Sequence, residues 1–285
     1  MKVTTKPIAY VAFVAMLTLP SCQNDSELKQ EIAFSSGGNY SVNSGIVYIE
    51  RGDSLIPLQV SYLEAEGQKV FQGDILLTTS EDFGILKIDT SSVSIKGLST
   101  LGKLWPEGLV YYSIDTNLPQ DKKEFVKKSI EHWESKTNLV FKEKSDEKNW
   151  VNFIPNEKGP LSYIGMKGGM QEIWISKGTG LGNIKHEIGH AVGLWHEHSR
   201  NDRDKYITVI EENIDPTRLT EFKVYDGNKY SDYDINSIMH YHAFAFPKDP
   251  ANPKQTIKPK EPAPDMGQRN ALSELDIKGI NVMYP

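Results

Sequence analysis

Cysteine is almost missing from this chain. Cys22 is the only one in 285 residues, so no disulfide can form within the chain and the fold must stand on packing and any metal it holds. An excess of positive charge is missing too. The 32 Lys and Arg against 38 Asp and Glu leave a formal net charge of -6, which removes the electrostatic case for nucleic acid as a partner. Basic residues do not cluster; Lys122, Lys123, Lys127 and Lys128 read as the solvated face of one helix. Internal repeats and low-complexity segments are absent. The apolar stretch from Ile8 to Leu19 is too short for a comfortable membrane span, and with Lys2 and Lys6 ahead of it and Pro20-Ser21-Cys22 behind it residues 1–22 read as a signal peptide. What remains is ordinary for a globular protein, at 38% hydrophobic and 25% charged, and long enough for one large domain or two unequal ones.

Leu19-Pro20-Ser21-Cys22 resembles a bacterial lipobox, whose cysteine is lipidated and becomes the mature N-terminus. An ordinary secretory signal with a chance cysteine is the alternative. The lipobox implies an outer-membrane lipoprotein facing the periplasm or the cell surface, with Asn24 to Glu27 as a polar tether.

From Glu31 to about Thr79 the pattern is that of short strands. Ile46–Ile49, Leu58–Tyr62 and Asp74–Leu77 carry apolar and β-branched residues between turn signals at Gly52-Asp53 and Glu66-Gly67. Arg51-Gly52-Asp53 is a hairpin turn rather than a recognition tripeptide. Ser80 to Ser99 is polar and aperiodic, which suits an exposed connector. Beyond it, Leu109–Ile114 predicts a strand, and Gln120–Lys136 predicts a helix with Val126, Ile130 and Trp133 on one face. His132 on that helix is a surface or partly packed residue. Strands are expected at Leu139–Phe141, Val151–Ile154 and Glu172–Ser176, and a helix from near Leu181. The division is therefore 1–22 signal peptide, 23–100 β-rich segment and connector, and 101–285 a larger α+β domain.

The second helix carries His186-Glu187-Ile188-Gly189-His190. Histidines four apart lie one turn above the other, so both imidazoles reach one ion. A catalytic zinc site needs a third protein ligand and one open position. Gly193 stands where the helix can end on a left-handed residue and return His196 to the metal. Glu187 beside the first ligand faces the open side as the base for water. Three surface histidines on an ordinary helix are the bland alternative. Five specified positions match by chance in on the order of one in 10⁴ to 10⁵ chains of this length.

His186-Glu187-x-x-His190-x-x-Gly193-x-x-His196-Glu197, continued by His198-Ser199-Arg200-x-Asp202-Arg203-Asp204, resembles the zinc motif of the astacin family of metzincins. Ser237-Ile238-Met239-His240-Tyr241 is similar to that family's Met-turn. Leu104–Tyr112, Ser162–Gln171 and Gly267–Asp276 resemble further family segments, so the likeness runs from about Leu104 to Tyr284. It implies a metzincin-like α+β domain with a twisted mixed sheet, a backing helix and a zinc-binding helix, holding one Zn2+ per chain. It also implies that Met239 floors the metal and that Tyr241 is a fifth ligand able to swing away and hold the oxyanion. Glu197 is implied to contact a trimmed N-terminus, and His198 and His240 to be structural. Most astacins carry disulfides here; this chain has none.

Phe71-Gln72-Gly73-Asp74 resembles the Phe-x-Gly-Asp motif of astacin prosegments, whose aspartate fills the open zinc position. A carboxylate suits zinc, and glycine permits close approach of the backbone. A plain Gly-Asp turn is the alternative. Activation would then require a cut in the stretch from Ser80 to Lys103, with Lys87, Lys96 and Lys103 as candidate sites. The resemblance implies a monomeric endopeptidase acting on proteins or peptides, its substrate extended along an edge strand near Gly169 to Ile175. Family members often prefer an acidic residue just after the cut. Two rivals share these residues: a surface-anchored protein- or glycan-binding protein on a dead peptidase scaffold, and a zinc-dependent glycan or ester hydrolase.

Overall fold

Alternating apolar and polar side chains set most of the strands, and a computed structural model describes residues 41–51, 54–65, 68–77, 103–226 and 229–285. The signal peptide, Cys22, both predicted turns at 52–53 and 66–67, and the Ser80–Ser99 connector with Lys87 and Lys96 lie outside the described residues.

In chain order the strands are β1 (Ser41–Arg51), β2 (Ser54–Ala65), β3 (Gln68–Phe71), β4 (Ile75–Leu77), β5 (Leu109–Ile114), β6 (Val140–Glu143), β7 (Trp150–Pro155), β8 (Leu161–Ser162), β9 (Met170–Ile175), β10 (Ile207–Val209) and β11 (Ile257–Pro259). The helices are α1 (Gln120–Lys136), α2 (Leu181–Ala191) and α3 (Glu274–Met283). Nine strands form one mixed sheet in the order β1-β2-β3-β4-β8-β9-β7-β5-β6. β5, β6, β7 and β9 run parallel, whereas β8 is antiparallel to β9. This is the α+β architecture expected, with α1 and α2 in their predicted places; α3 was not predicted.

Two readings of the N-terminal strands need correction. β3 was not predicted: Gln68–Phe71 forms a separate strand pairing with both β2 and β4. Asp74 is not within a strand; it closes a turn of residues 72–74 just before β4. The substrate edge was also misplaced. Met170–Ile175 is interior, because its backbone pairs with β7 on one side and β8 on the other. Beyond β9 lies β8, whose outer side is taken by β4 in parallel, with Ile75 opposite Ser162 and Ser162 N–H donating to Asp74 O at 3.0 Å.

α1 buries Val126, Ser129, Ile130 and Trp133 against α2, as its spacing predicts. Trp133 is fully buried and its indole N–H donates to Lys185 O at 3.0 Å, so the ring fills the helix interface without leaving a buried donor unmet. Lys122 does not belong to a solvated face. It is buried, and its ammonium donates to Thr179 O at 2.8 Å in the loop that leads into α2. Lys127 and Lys128 are exposed as expected. His132 is partly packed, its Nε2 accepting from Leu272 N–H at 3.2 Å. Among the described residues no helix is long and apolar enough to cross a membrane.

Candidate metal centre

α2 is buried from Gly182 to Ala191, so its histidines stand in a dry core rather than on a wet face. The helix ends in a Schellman motif: Leu194 N–H returns to Gly189 O at 2.9 Å and Gly193 N–H to His190 O at 2.8 Å. Gly193 has φ 110°, a backbone state closed to ordinary side chains, and this turn sends the chain back along the helix. Its consequence is His196, whose ring lies 4.7 Å from that of His190 and 5.3 Å from that of His186.

Hydrogen bonds then decide which nitrogen of each ring can bind an ion. His186 Nδ1–H donates to Ile238 O at 2.7 Å and His190 Nδ1–H to Leu194 O at 2.8 Å. His196 Nδ1–H faces Gln72 Oε1 at 3.3 Å. All three partners are acceptors, so all three Nε2 atoms carry lone pairs. Burial, with Arg269 next, pushes His186 down to about 3, and burial lowers His196 as well, so both rings are neutral at physiological pH.

Facing these lone pairs is the carboxylate of Asp74. Its oxygens stand 3.2 Å from His186 Nε2, 3.2 Å from His196 Nε2 and 3.5 Å from His190 Nε2. With each Nδ1 turned to a carbonyl or amide oxygen, the three Nε2 atoms and the Asp74 carboxylate converge on one point. The four donor atoms all fall within 4.8 Å of one another, a group that could hold a metal ion. Nitrogen and carboxylate donors of this kind suit zinc.

The remaining predicted residues surround this point. Glu187 is 1% exposed and lines, with Asp74, His186 and Tyr241, a cavity of about 30 Å³ that Lys158 and Arg269 also border. Met239 is fully buried beneath α2, and a side chain at Gly189 would meet its Sδ at 2.6 Å. Tyr241 donates its hydroxyl hydrogen to Gln72 O at 2.5 Å, while its ring stacks on His198 at 3.7 Å. His198 donates from Nε2 to Glu221 O at 3.0 Å. His240 donates from Nδ1 to Tyr241 O at 2.6 Å and receives Tyr233 O–H at 2.6 Å. Glu197 takes Asp234 N–H at 2.7 Å and Arg200 Nη1 at 3.0 Å on one oxygen, leaving Oε2 buried with no hydrogen bond. Burial pushes the Glu197 carboxyl up, and Arg200 opposes it.

Two contributors were not assigned a role from sequence. Asp276 accepts from Ser237 O–H at 2.6 Å and Ile238 N–H at 2.9 Å, and Ile238 O in turn holds His186. The Ser273-x-x-Asp276 capping box at the start of α3 was the available signal. Gln72 is the other; it stands at the unspecified position of Phe71-Gln72-Gly73-Asp74.

A helix-borne histidine pair, a returning third histidine and a methionine-bearing turn under them define the class: the catalytic domain of a zinc peptidase. A family model described as Astacin (Peptidase family M12A) matches residues 97–285, and the chain belongs to that family. The chain is 37% identical over 190 residues to zinc metalloproteinase nas-14 of Caenorhabditis elegans, covering 64% of this chain and 37% of that protein. It is 36% identical over 192 residues to human Tolloid-like protein 2, covering 64% of this chain and 19% of that protein. It thus spans well under half the length of these relatives. Among solved structures it is similar to high choriolytic enzyme 1, a hatching enzyme zinc-protease from Oryzias latipes (medaka fish). That match has a TM-score of 0.59 at 33% identity and covers 64% of this chain and 92% of the other.

Proposed function

We propose that this chain is a zinc metalloendopeptidase that hydrolyses internal bonds of proteins or peptides and is kept latent by Asp74. The observation that carries the reading is the convergence of three Nε2 lone pairs and the Asp74 carboxylate within 4.8 Å. In this reading His186, His190 and His196 hold the metal, and Asp74 fills the position that water must occupy. When bound, zinc supplies a Lewis acid that acidifies water and polarises the scissile carbonyl.

The chain's own groups do the rest. Glu187 takes a proton from the attacking water and passes it to the leaving amine. Tyr241, once free of Gln72 O, turns its hydroxyl toward the oxygen on which negative charge develops. Met239 and Gly189 set the floor that keeps α2 in register with the Met-turn. The β8 edge at Leu161–Ser162, taken by β4 in the uncut chain, offers its backbone to an extended substrate. Residues 1–22 serve as signal peptide, 23–100 as prosegment and connector, and 101–285 as the peptidase domain, with Lys103, exposed in the structure, among the activation sites.

The test is Asp74→Ala in the full-length chain, assayed on a peptide substrate before and after tryptic trimming. The uncut variant should show at least tenfold more activity than uncut wild type, and the two should match once trimmed. Equal activity before trimming would remove the latency. Glu187→Ala serves as the control that must lose turnover while keeping zinc; turnover that persists would remove the peptidase assignment. The same reading makes the protein a monomeric bacterial outer-membrane lipoprotein anchored through Cys22. Labelled palmitate should enter wild type and not Cys22→Ser; equal labelling refutes the anchor.

A further inference from the structure

We infer that Gln72 is a positioning residue for the third histidine, so that the N-terminal segment strengthens the hold on the metal through His196 as well as through the carboxylate of Asp74. The inference rests on the proposed latency, and it starts from an asymmetry among the three rings. His186 and His190 take their Nδ1 partners, Ile238 O and Leu194 O, from within the family domain. His196 takes its partner from 124 residues upstream, the Gln72 side-chain oxygen at 3.3 Å. A partner on the far nitrogen of a metal-binding imidazole holds its tautomer and its aim.

The Gln72 amide is built into the core. It is fully buried, and its Oε1 also receives the indole N–H of Trp195 while its Nε2 donates to Glu221 O at 3.4 Å. That arrangement leaves one orientation: flipping the amide would set its NH2 against two N–H donors and its oxygen against a carbonyl. Its backbone sits at φ 47°, which an L residue adopts only when its surroundings compel it. Gln72 O also receives the Tyr241 hydroxyl, and the next residue, Gly73, hydrogen-bonds the Glu221 carboxylate through its backbone. One residue therefore touches the loop of His196, the Met-turn tyrosine and the 3-10 segment Pro216–Phe222. Release of the segment takes the acceptor away from His196 Nδ1 and Trp195 Nε1 together.

The experiment is a set of full-length zinc-loaded proteins: wild type, Gln72→Met, Asp74→Ala, and the double variant, each also trimmed with trypsin. Zinc dissociation constants are read by competition with a chelating indicator, and the Trp195 indole N–H is followed by 15N NMR, assigned with Trp195→Phe. Methionine keeps the length of glutamine and removes its hydrogen bonding. Gln72→Met should weaken zinc about tenfold or more in the Asp74→Ala background, where the carboxylate is already gone, and should shift the Trp195 resonance. Trimming should abolish the difference, since Gln72 leaves with the segment. An unchanged zinc constant in the double variant relative to Asp74→Ala overturns the inference, because Gln72 would then act only by seating Asp74. Peptidase activity of uncut Asp74→Ala tests latency separately, so failure of one idea leaves the other standing or fallen on its own result.

Discussion

Replacing Gly193 by alanine probes the bend on which the third histidine depends. The residue sits at φ 110°, where a Cβ is opposed by its own backbone, and holding a non-glycine residue in such a region costs about 1–3 kcal/mol. Two bonds close the turn, Leu194 N–H to Gly189 O and Gly193 N–H to His190 O. Leu194 O also holds His190 Nδ1 at 2.8 Å, so the turn serves two ligands at once. If the turn persists, the variant should lose about 1–3 kcal/mol in urea unfolding of the zinc-free protein and keep its zinc constant. If it relaxes, His196 moves away, and stability is recovered at the cost of metal affinity; each 1.4 kcal/mol appears as a factor of about ten in the zinc constant. The sum of the two losses should therefore be about 1–3 kcal/mol or more. Both quantities are measured on the same preparations, by urea midpoint and by chelator competition. A variant unchanged in both would refute the role given to the bend.

Two further outcomes follow from buried neighbours. Gly189→Ala would set a Cβ 2.6 Å from Met239 Sδ and should destabilise by about 1–3 kcal/mol, less the gain in helix propensity, while Met239→Ala should cost about 2–5 kcal/mol. Their double variant should cost less than the sum, by about 0.5–3 kcal/mol, since the new methyl enters the vacated space; additive urea midpoints would show that the two do not touch. His240 is driven down to about 4 by burial, with Tyr241 O opposing and Arg269 next. The unfolded state then binds the extra proton between pH 6.5 and 4, so this contribution is present above 6.5 and lost as pH falls. Relative to His240→Asn, wild type should lose up to about 3 kcal/mol across that window, and a stability difference that does not change with pH would contradict it.

The fold and the site were unequally legible. The helical histidine pair is visible because both residues sit on one element with a period of 3.6, and Gly193 announces the turn through its own backbone freedom. α1 was legible for the same reason, since Val126, Ile130 and Trp133 repeat on one face. Lys122 was misread because periodicity reports apolar faces and says nothing of a carbonyl, here Thr179 O, waiting on a neighbouring loop. The edge strand was misplaced because Leu161–Ser162 is only two residues long, too short to alternate, whereas Met170–Ile175 has a clear pattern with Gln171, Ile173 and Ile175 on its buried face. Strand order is a long-range property, and alternation along one strand does not encode it.

The layer beneath the donor set was hidden for a stricter reason. The Nδ1 partners of His186, His190 and His196 are Ile238 O, Leu194 O and Gln72 Oε1, and two of the three are backbone carbonyls that every residue possesses. No residue type marks such a partner; only the path of the chain does. Asp276 could be noticed as half of a capping box, yet its second task, holding Ile238 N–H so that Ile238 O meets His186, exists only once α3 and the Met-turn are packed together. Donor identity is therefore a property of local spacing, and donor aim is a property of the assembled core. Variants at His186, His190 or His196 should abolish zinc binding outright, whereas variants of this supporting layer should grade it, and that difference in response is how the two layers are told apart.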